Sequence, residues 1–153
     1  MQSHDQQQVK KNRAVPEMVL PTARLVTVSF VVGAFAGLGL WGVAQAARPG
    51  MVGGIAPGVV GGVVGSVVGV LTVKPWVAKP LNRWPFLMLA SQGVGFFATL
   101  FVSGLLYSTT RPDPLGLAAA SVLTFVGAVI GHARVFEACS RSVGRAADPP
   151  SPG

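Results

Sequence analysis

Few side chains in this sequence could take part in chemistry, and they stand far apart. The two candidates are Gln92 and His132, which are polar residues inside its long uncharged stretches. The sequence has no Cys/His cluster with ligand spacing, so a metal site is not expected. Nucleophilic catalysis has no basis either, because the scattered serines and threonines lack a paired histidine and acid. We therefore expect no catalytic residue, no metal, no cofactor and no enzymatic activity.

Gln92 and His132 each have a structural and a functional interpretation. As structural residues, Gln92 would hydrogen-bond across helices and His132 would lie at the membrane interface beside Arg134. As functional residues, the two would form part of a substrate-binding module, or His132 would act as a ligand or a switch. The structural interpretation is favoured, because no convergent set of polar groups accompanies them.

Four uncharged stretches position these residues, over about residues 25–47, 50–73, 85–108 and 114–133. Each reaches the roughly 20 residues that a helix needs to cross the hydrocarbon core. None shows the alternation of apolar and polar residues that marks a membrane β-strand. The stretches contain no Asp, Glu, Lys or Arg, which are the ionisable groups that pumps and many ion-coupled transporters place in the membrane. Transport of protons or sodium ions by this chain alone is therefore not expected.

The composition also favours a membrane environment. Half of the 153 residues are apolar and 11% are charged, whereas soluble domains carry about 25% charged residues. We predict an all-α integral membrane protein with four transmembrane helices arranged as two hairpins. Its parts would be a polar, basic N-terminal tail (1–20), a four-helix transmembrane domain (21–137) and a polar C-terminal tail (138–153).

Basic residues cluster at the ends of these stretches and predict their orientation. Of the twelve lysines and arginines, Arg48 and Arg111 lie on one side of the predicted membrane domain and the other ten lie on the opposite side. By the positive-inside rule, the ten and both termini lie in the cytoplasm. The net charge of +7 forms no basic stripe interleaved with aromatics, so we expect contact with anionic lipid and none with nucleic acid. Trp76 and Trp84 flank the inner loop, where aromatic side chains anchor helices at the membrane interface.

The second stretch is dominated by glycine and valine, and its small residues fall into two stripes. The first stripe is Gly54, Gly58, Gly62 and Ser66, spaced four apart, and the second is Gly61, Gly65 and Gly69. The fourth stretch carries a comparable row at Gly116, Ala120, Thr124, Ala128 and His132. Small residues at this spacing let a second helix backbone approach closely. We expect the stripes to pack inside the monomer, with the first span as the nearest partner, and self-association of copies through the same stripes is the alternative.

Three short regions carry a resemblance to a known family. They are Gly53-Gly54-Ile55-Ala56-Pro57, then Leu87-Met88-Leu89-Ala90-Ser91-Gln92 with Phe96-Phe97-Ala98-Thr99-Leu100, and Pro112-Asp113-Pro114-Leu115-Gly116-Leu117-Ala118. With the four-span plan and the basic N-terminal tail, they resemble the ATP synthase protein I family of small bacterial inner-membrane proteins. The resemblance implies a role in assembling or stabilising the c-ring and the membrane sector of the ATP synthase. Family members often carry an acidic residue followed closely by a lysine in span three. In this sequence Gln92 stands at the acidic position and no lysine follows. The resemblance therefore does not imply the cation handling proposed for the family.

The sequence therefore predicts a non-catalytic accessory or assembly factor of a membrane protein complex. Its partners would be the lipid bilayer and other membrane subunits, among them the ATP synthase c-ring. The alternative is a homo-oligomeric pore, small channel or transport protein in which the glycine stripes of several copies face one another.

Overall fold

The computed structural model describes residues 15–147, and four long helices account for most of them. In chain order the elements are β1 (Glu17–Met18), α1 (Thr22–Ala47), α2 (Val52–Thr72), β2 (Lys79–Pro80), α3 (Trp84–Thr110) and α4 (Pro114–Ala147), with 3₁₀ turns at Pro49–Met51 and Leu81–Arg83. Each of the four helices is long and apolar enough to span a membrane. The prediction of a mainly α-helical chain with four helices long and apolar enough to span a membrane is thereby confirmed.

The helix ends follow from residues that cannot continue a helix. Arg48 leaves the helical conformation after α1, as expected for a residue that precedes a proline. Lys74 and Arg111 adopt left-handed backbone conformations, with φ of 49° and 46°, and so turn the chain after α2 and α3. At the start of α4, Asp113 Oδ2 accepts a hydrogen bond from the Gly116 N–H at 2.7 Å, which satisfies an otherwise unpaired helical donor. Along α2 and α3 the contacts run in opposite directions, from Gly61 with Ser103 to Gly69 with Ser91.

The glycine-rich helix α2 occupies the centre of the bundle. Ten of its residues are buried, whereas α1 and α3 have four each. It packs extensively against α3 and α4 and less against α1, which also packs on α4. By contrast, α3 and α4 touch each other little, although both lie against α2. The sequence led us to expect α1 as the first partner of α2 in a hairpin, but the larger contacts of α2 are with α3 and α4.

A short antiparallel β-pair closes one end of the bundle, where α1 and α3 begin and α2 and α4 end; we call it the basic end. Glu17 of β1 stands opposite Pro80 of β2, and Trp84 Nε1–H donates a hydrogen bond to Met18 O at 3.1 Å. Trp84 is fully buried, so it does not lie at the lipid interface as predicted. Residues 15–20 belong to this packed end instead of a polar tail, and residues 1–14 of the predicted tail lie outside the described residues.

The core at the basic end draws on every helix. Its buried members are Met18, Leu20, Leu25, Val70, Val73 and Trp84. Four residues of α4 also pack against it, at Val135, Phe136, Cys139 and Val143. Their spacing places them on one face of a helix, so α4 continues to Ala147 where the sequence predicted a polar tail from residue 138. Residues 148–153 lie outside the described residues.

Candidate functional site

The first glycine stripe of α2 lies against α4 of the same chain. A Cβ added to Gly54 would come within 2.5 Å of the Leu117 nitrogen, and one added to Gly58 would come within 2.5 Å of the Leu117 oxygen. At Gly62 the added atom would meet Ser121 O at 2.8 Å. Real side-chain atoms do not approach backbone this closely. The lack of a side chain at these three glycines therefore sets the distance between α2 and α4.

The second stripe lies against α3. A Cβ added to Gly69 would meet Ser91 O at 2.5 Å, and one added to Gly65 would meet Gly95 O at 2.7 Å. Backbone therefore packs on backbone on two sides of α2. All seven residues singled out from the sequence are buried: Gly54, Gly58, Gly61, Gly62, Gly65, Ser66 and Gly69. Within residues 15–147 both stripes are thus covered by helices of the same chain.

His132 lies in the interior of the bundle and joins α4 to α1. Its side chain is fully buried, and its Nε2 is 3.0 Å from Leu25 O and 3.0 Å from Ser29 Oγ. Because a carbonyl oxygen can only accept a hydrogen bond, we place the hydrogen of the imidazole on Nε2. His132 Nδ1 has no hydrogen-bond partner in the described part of the chain. The sequence placed His132 at the membrane interface beside Arg134, and the structure places it between two helices instead.

Gln92 does not take part in this contact. Its side chain is half-buried on α3, and it forms none of the side-chain hydrogen bonds found among residues 15–147. The adjacent Ser91 is buried, and its Oγ donates to Met88 O at 2.8 Å. The hydrogen bond across helices that the sequence suggested for Gln92 is therefore not formed, and Ser91 is the residue that faces α2.

Small hydroxyl side chains fill much of the interior. The buried ones are Ser29, Ser66, Ser91, Thr99, Ser121 and Thr124. Several bond to their own helix, as Ser66 Oγ does to Val63 O at 2.9 Å. Between helices, Ser103 Oγ and Ser121 Oγ are 2.9 Å apart. Such contacts hold membrane helices together, and within residues 15–147 no three His, Cys, Asp or Glu side chains come together as a metal site would require.

Two apolar grooves open sideways from the bundle, both toward the end away from the basic end, which we call the opposite end. The α3/α4 crevice has a volume of about 500 Å³ and is lined by residues between 96 and 107 of α3 and between 114 and 126 of α4. The α1/α2 groove has a volume of about 760 Å³ and is lined by residues between 33 and 41 and between 52 and 59. In a membrane protein, both grooves would face lipid or another membrane protein.

Sequence reasoning singled out neither Ser29 nor the grooves. Ser29 could have been found, because it continues the row of small residues at Gly33 and Gly37 with the same spacing of four. The grooves leave no such signal, since they depend on how far apart two helices stand and not on the residues of either one.

The fold and the packing define a class: a multi-pass α-helical membrane protein with a closely packed interior and apolar grooves on its sides. No protein-family model matches the chain, and no curated protein and no solved structure matches it. A functional proposal must therefore rest on the geometry and on the residues themselves.

Proposed function

We propose that the chain is a non-catalytic accessory or assembly factor of a membrane protein complex, and that this complex is the membrane sector of the ATP synthase with its c-ring. The protein would lie in the inner membrane of a bacterium, with both termini in the cytoplasm. The observation that carries the proposal is the contrast between a filled interior and apolar grooves on the outside.

The filled interior suits a scaffold better than a transport path. Backbone meets backbone at Gly58 and Gly69, so the space between α2 and its two main partners is closed to a solute. Most of the buried hydroxyls have a hydrogen-bond partner within the bundle, as Ser66 has in Val63 O, and among residues 15–147 the hydroxyl of Thr124 is buried without one. A closed and rigid interior of this kind holds outward-facing surfaces in fixed positions.

Those outward surfaces are apolar and suit contacts within the membrane. Large exposed side chains include Phe30, Phe35, Leu38, Phe86, Phe97 and Phe101. The α1/α2 groove adds a concave surface with small residues on its walls, including Gly33, Ala34 and Ala56. Small residues allow close approach of a further helix, which is what an assembly factor needs for transient contact with a membrane subunit.

The choice of the ATP synthase rests on the resemblance of the three short regions to the ATP synthase protein I family. The orientation rests on the positions of charge. Of the cations in residues 15–147, seven belong to the basic end: Arg24, Lys74, Lys79, Arg83, Arg134, Arg141 and Arg145. Arg48 and Arg111 belong to the opposite end, so the positive-inside rule puts the basic end in the cytoplasm.

A homo-oligomeric pore through the glycine stripes has less support. Such a pore needs the stripes to face copies of themselves, whereas here Gly58 lies against α4 and Gly65 against α3. Opening the stripes would require α2 to leave both partners. We therefore keep the assembly factor as the proposed function.

Deleting the gene in its native host and measuring assembled c-ring in the membranes tests this proposal. We expect less assembled c-ring, with recovery on expressing the wild-type chain. Ala34→Phe should fail to restore it, because Ala34 is exposed and lines the α1/α2 groove. Gly39→Phe is the matched control on the same helix, since a Cβ there meets nothing within 4 Å and Gly39 does not line the groove. Unchanged c-ring yield, with no ATP synthase subunit co-purifying, would overturn the proposal.

Labelling of single cysteines tests the orientation. In a Cys139→Ser background, Thr109→Cys places a thiol at the opposite end and Ser142→Cys places one at the basic end, and both positions are exposed. A membrane-impermeant maleimide should label Thr109→Cys in intact spheroplasts and Ser142→Cys after permeabilisation. The reverse pattern would contradict the cytoplasmic location of the termini.

A further inference from the structure

The α3/α4 crevice offers few free polar groups to which a polar ligand could bind. Ser103 and Ser121 face each other across it with their Oγ atoms 2.9 Å apart, beside Gly61 of α2, where an added Cβ would contact both hydroxyls. One of these two hydroxyls therefore donates a hydrogen bond to the other. Thr99, which also lines the crevice, donates its hydroxyl to Gly95 O at 2.9 Å. An occupant must accordingly be apolar over most of its length.

The length of the crevice matches one leaflet of a bilayer. At 1.5 Å per residue, the lining residues 96–107 of α3 extend over about 16 Å and residues 114–126 of α4 over about 18 Å. The hydrocarbon core is about 30 Å thick, so one leaflet contributes about 15 Å. The crevice begins at the opposite end and stops near the middle of the bundle. A partner transmembrane helix would continue through both leaflets, whereas a lipid acyl chain ends at the midplane.

A cation stands at the mouth of the crevice. Arg111 lies in the connection between α3 and α4, and Tyr107 and Pro114 on either side of it both line the crevice. Arg111 is exposed, and its guanidinium suits a phosphate group. The nearby acid, Asp113, accepts the Gly116 N–H at 2.7 Å and so serves the start of α4. The Arg111 guanidinium is the group at the mouth that favours an anionic headgroup.

We infer that the α3/α4 crevice binds one acyl chain of an anionic phospholipid from the leaflet at the opposite end, with the headgroup phosphate paired to Arg111. The lipid fills the space that α3 and α4 leave because both pack more closely on α2 than on each other. It thereby fills the gap between α3 and α4 at the opposite end. This inference is independent of the proposed role in assembly.

Native mass spectrometry of the full chain in mild detergent tests the inference. The probes are palmitoyl-oleoyl phosphatidylglycerol, which is anionic, and palmitoyl-oleoyl phosphatidylcholine, which has the same chains and a zwitterionic headgroup. The wild-type chain should retain one phosphatidylglycerol with about tenfold preference over phosphatidylcholine, because the choline cation of phosphatidylcholine offsets the phosphate charge that would pair with Arg111. Arg111→Gln should remove this preference, while Arg111→Lys should keep part of it and Arg48→Gln should keep all of it.

Filling the crevice tests the acyl chain separately from the headgroup. Gly104 lines the crevice, and a Cβ there meets nothing within 4 Å, so Gly104→Leu should fold normally and reduce retention of both lipids at least about tenfold. Gly93→Leu is the matched control, because Gly93 also has nothing within 4 Å and does not line the crevice. If Gly104→Leu does not fold, Ala118→Phe fills the same space from α4.

Each result decides for or against the site. Equal lipid retention by wild type and by a folded crevice-filling variant would overturn the acyl-chain assignment. Equal loss in Gly93→Leu would show non-specific lipid binding and would also overturn it. A wild-type dimer that becomes a monomer in Gly104→Leu would mean that a second copy occupies the crevice. If the wild-type chain retained both lipids equally and Arg111→Gln changed nothing, the pairing of the headgroup with Arg111 would be overturned.

Discussion

Two tryptophans at opposite ends of the bundle, Trp84 and Trp41, lie in contrasting surroundings, whereas Trp76 in the connection at 73–83 of the basic end is exposed. At the basic end, Trp84 is fully buried and donates its indole N–H to Met18 O. At the opposite end, Trp41 is 49% exposed and forms part of the wall of the α1/α2 groove. Both grooves lie toward that end. The basic end is thus covered by connections and by the last turns of α4. The opposite end has a smaller core around Ala44, Ile55 and Ala120 and carries both grooves on its sides.

The difference follows from how much chain each end has available to cover the helices. The basic end has residues 15–21, the long connection at 73–83 and the last turns of α4. The opposite end has the short connections at 48–51 and 111–113, which are too short to fold back over the gaps between helices. We infer that stability is concentrated at the basic end, and that the opposite end is the place for contacts with lipid or a partner.

The largest expected change in the free energy of unfolding comes from replacing Trp84, with Trp41 as the comparison. Trp84→Ala should lower the free energy of unfolding by about 3–5 kcal/mol, as large-to-small changes in a packed core do. Trp41→Ala should change it by no more than about 0.5 kcal/mol, as at exposed positions generally. Equilibrium unfolding in mixed micelles of sodium dodecyl sulfate and a mild non-ionic detergent, followed by circular dichroism, measures both. Equal losses would mean that the two ends contribute alike to stability.

A second comparison lies within α2. Gly58→Ala brings a methyl group within 2.5 Å of Leu117 O and 2.7 Å of Ala120 Cβ, so α2 and α4 must separate. Overpacking of this kind should destabilise the fold by about 1–3 kcal/mol. Gly53→Ala on the same helix is the control, because a Cβ there meets nothing within 4 Å and alanine favours the helix. The same unfolding assay applies, and a Gly58→Ala protein as stable as Gly53→Ala would contradict the close contact between α2 and α4.

The membrane character of the fold could be predicted from the sequence because it depends on composition over long windows. Uninterrupted runs without charge mark the four helices, whatever each run packs against. The spacing of four from Gly54 to Gly62 also identifies a face of α2 that another helix can approach. It cannot say which helix, because glycine has no side chain with which to specify a partner. That choice is made by the backbone and small side chains of α3 and α4, such as Gly95 and Ser121.

The basic end was harder to predict because its signals are short and mixed with charge. Met18 and Leu20 are buried while Glu17 and Val19 are exposed, a strand-like alternation over too few residues to stand out. Arg134 and Arg141 follow the uncharged run of α4, and this change in composition predicts a polar tail from residue 138. The apolar residues between them have helical spacing and pack on the core, which explains why the helix continues.

Removing the polar contact between α1 and α4 should lower the free energy of unfolding by a moderate amount. His132 Nε2 lies 3.0 Å from Ser29 Oγ, so Ser29→Ala, His132→Phe and the double variant form a double-mutant cycle. Interhelical hydrogen bonds in membranes contribute about 0.6 kcal/mol on average and up to about 1.7, and we expect a coupling energy in that range. Unfolding free energies of the four proteins supply it, and additive single changes would show that the contact is not energetically coupled.

Removing the ion pair on the last turns of α4 should change the free energy of unfolding least of all. Arg141 Nη2 is 2.5 Å from Glu137 Oε1, and the two side chains are 70% and 46% exposed. Exposed pairs at this spacing contribute about 0.3–0.5 kcal/mol. Glu137→Gln should therefore shift the unfolding free energy by less than about 0.5 kcal/mol. Phe136→Ala, next to it in sequence but packed on the core, should cost clearly more, because apolar packing and not charge fixes this end of the helix. If Glu137→Gln proved the more damaging of the two, charge would hold the basic end together, and its contrast with the opposite end would need a different physical cause.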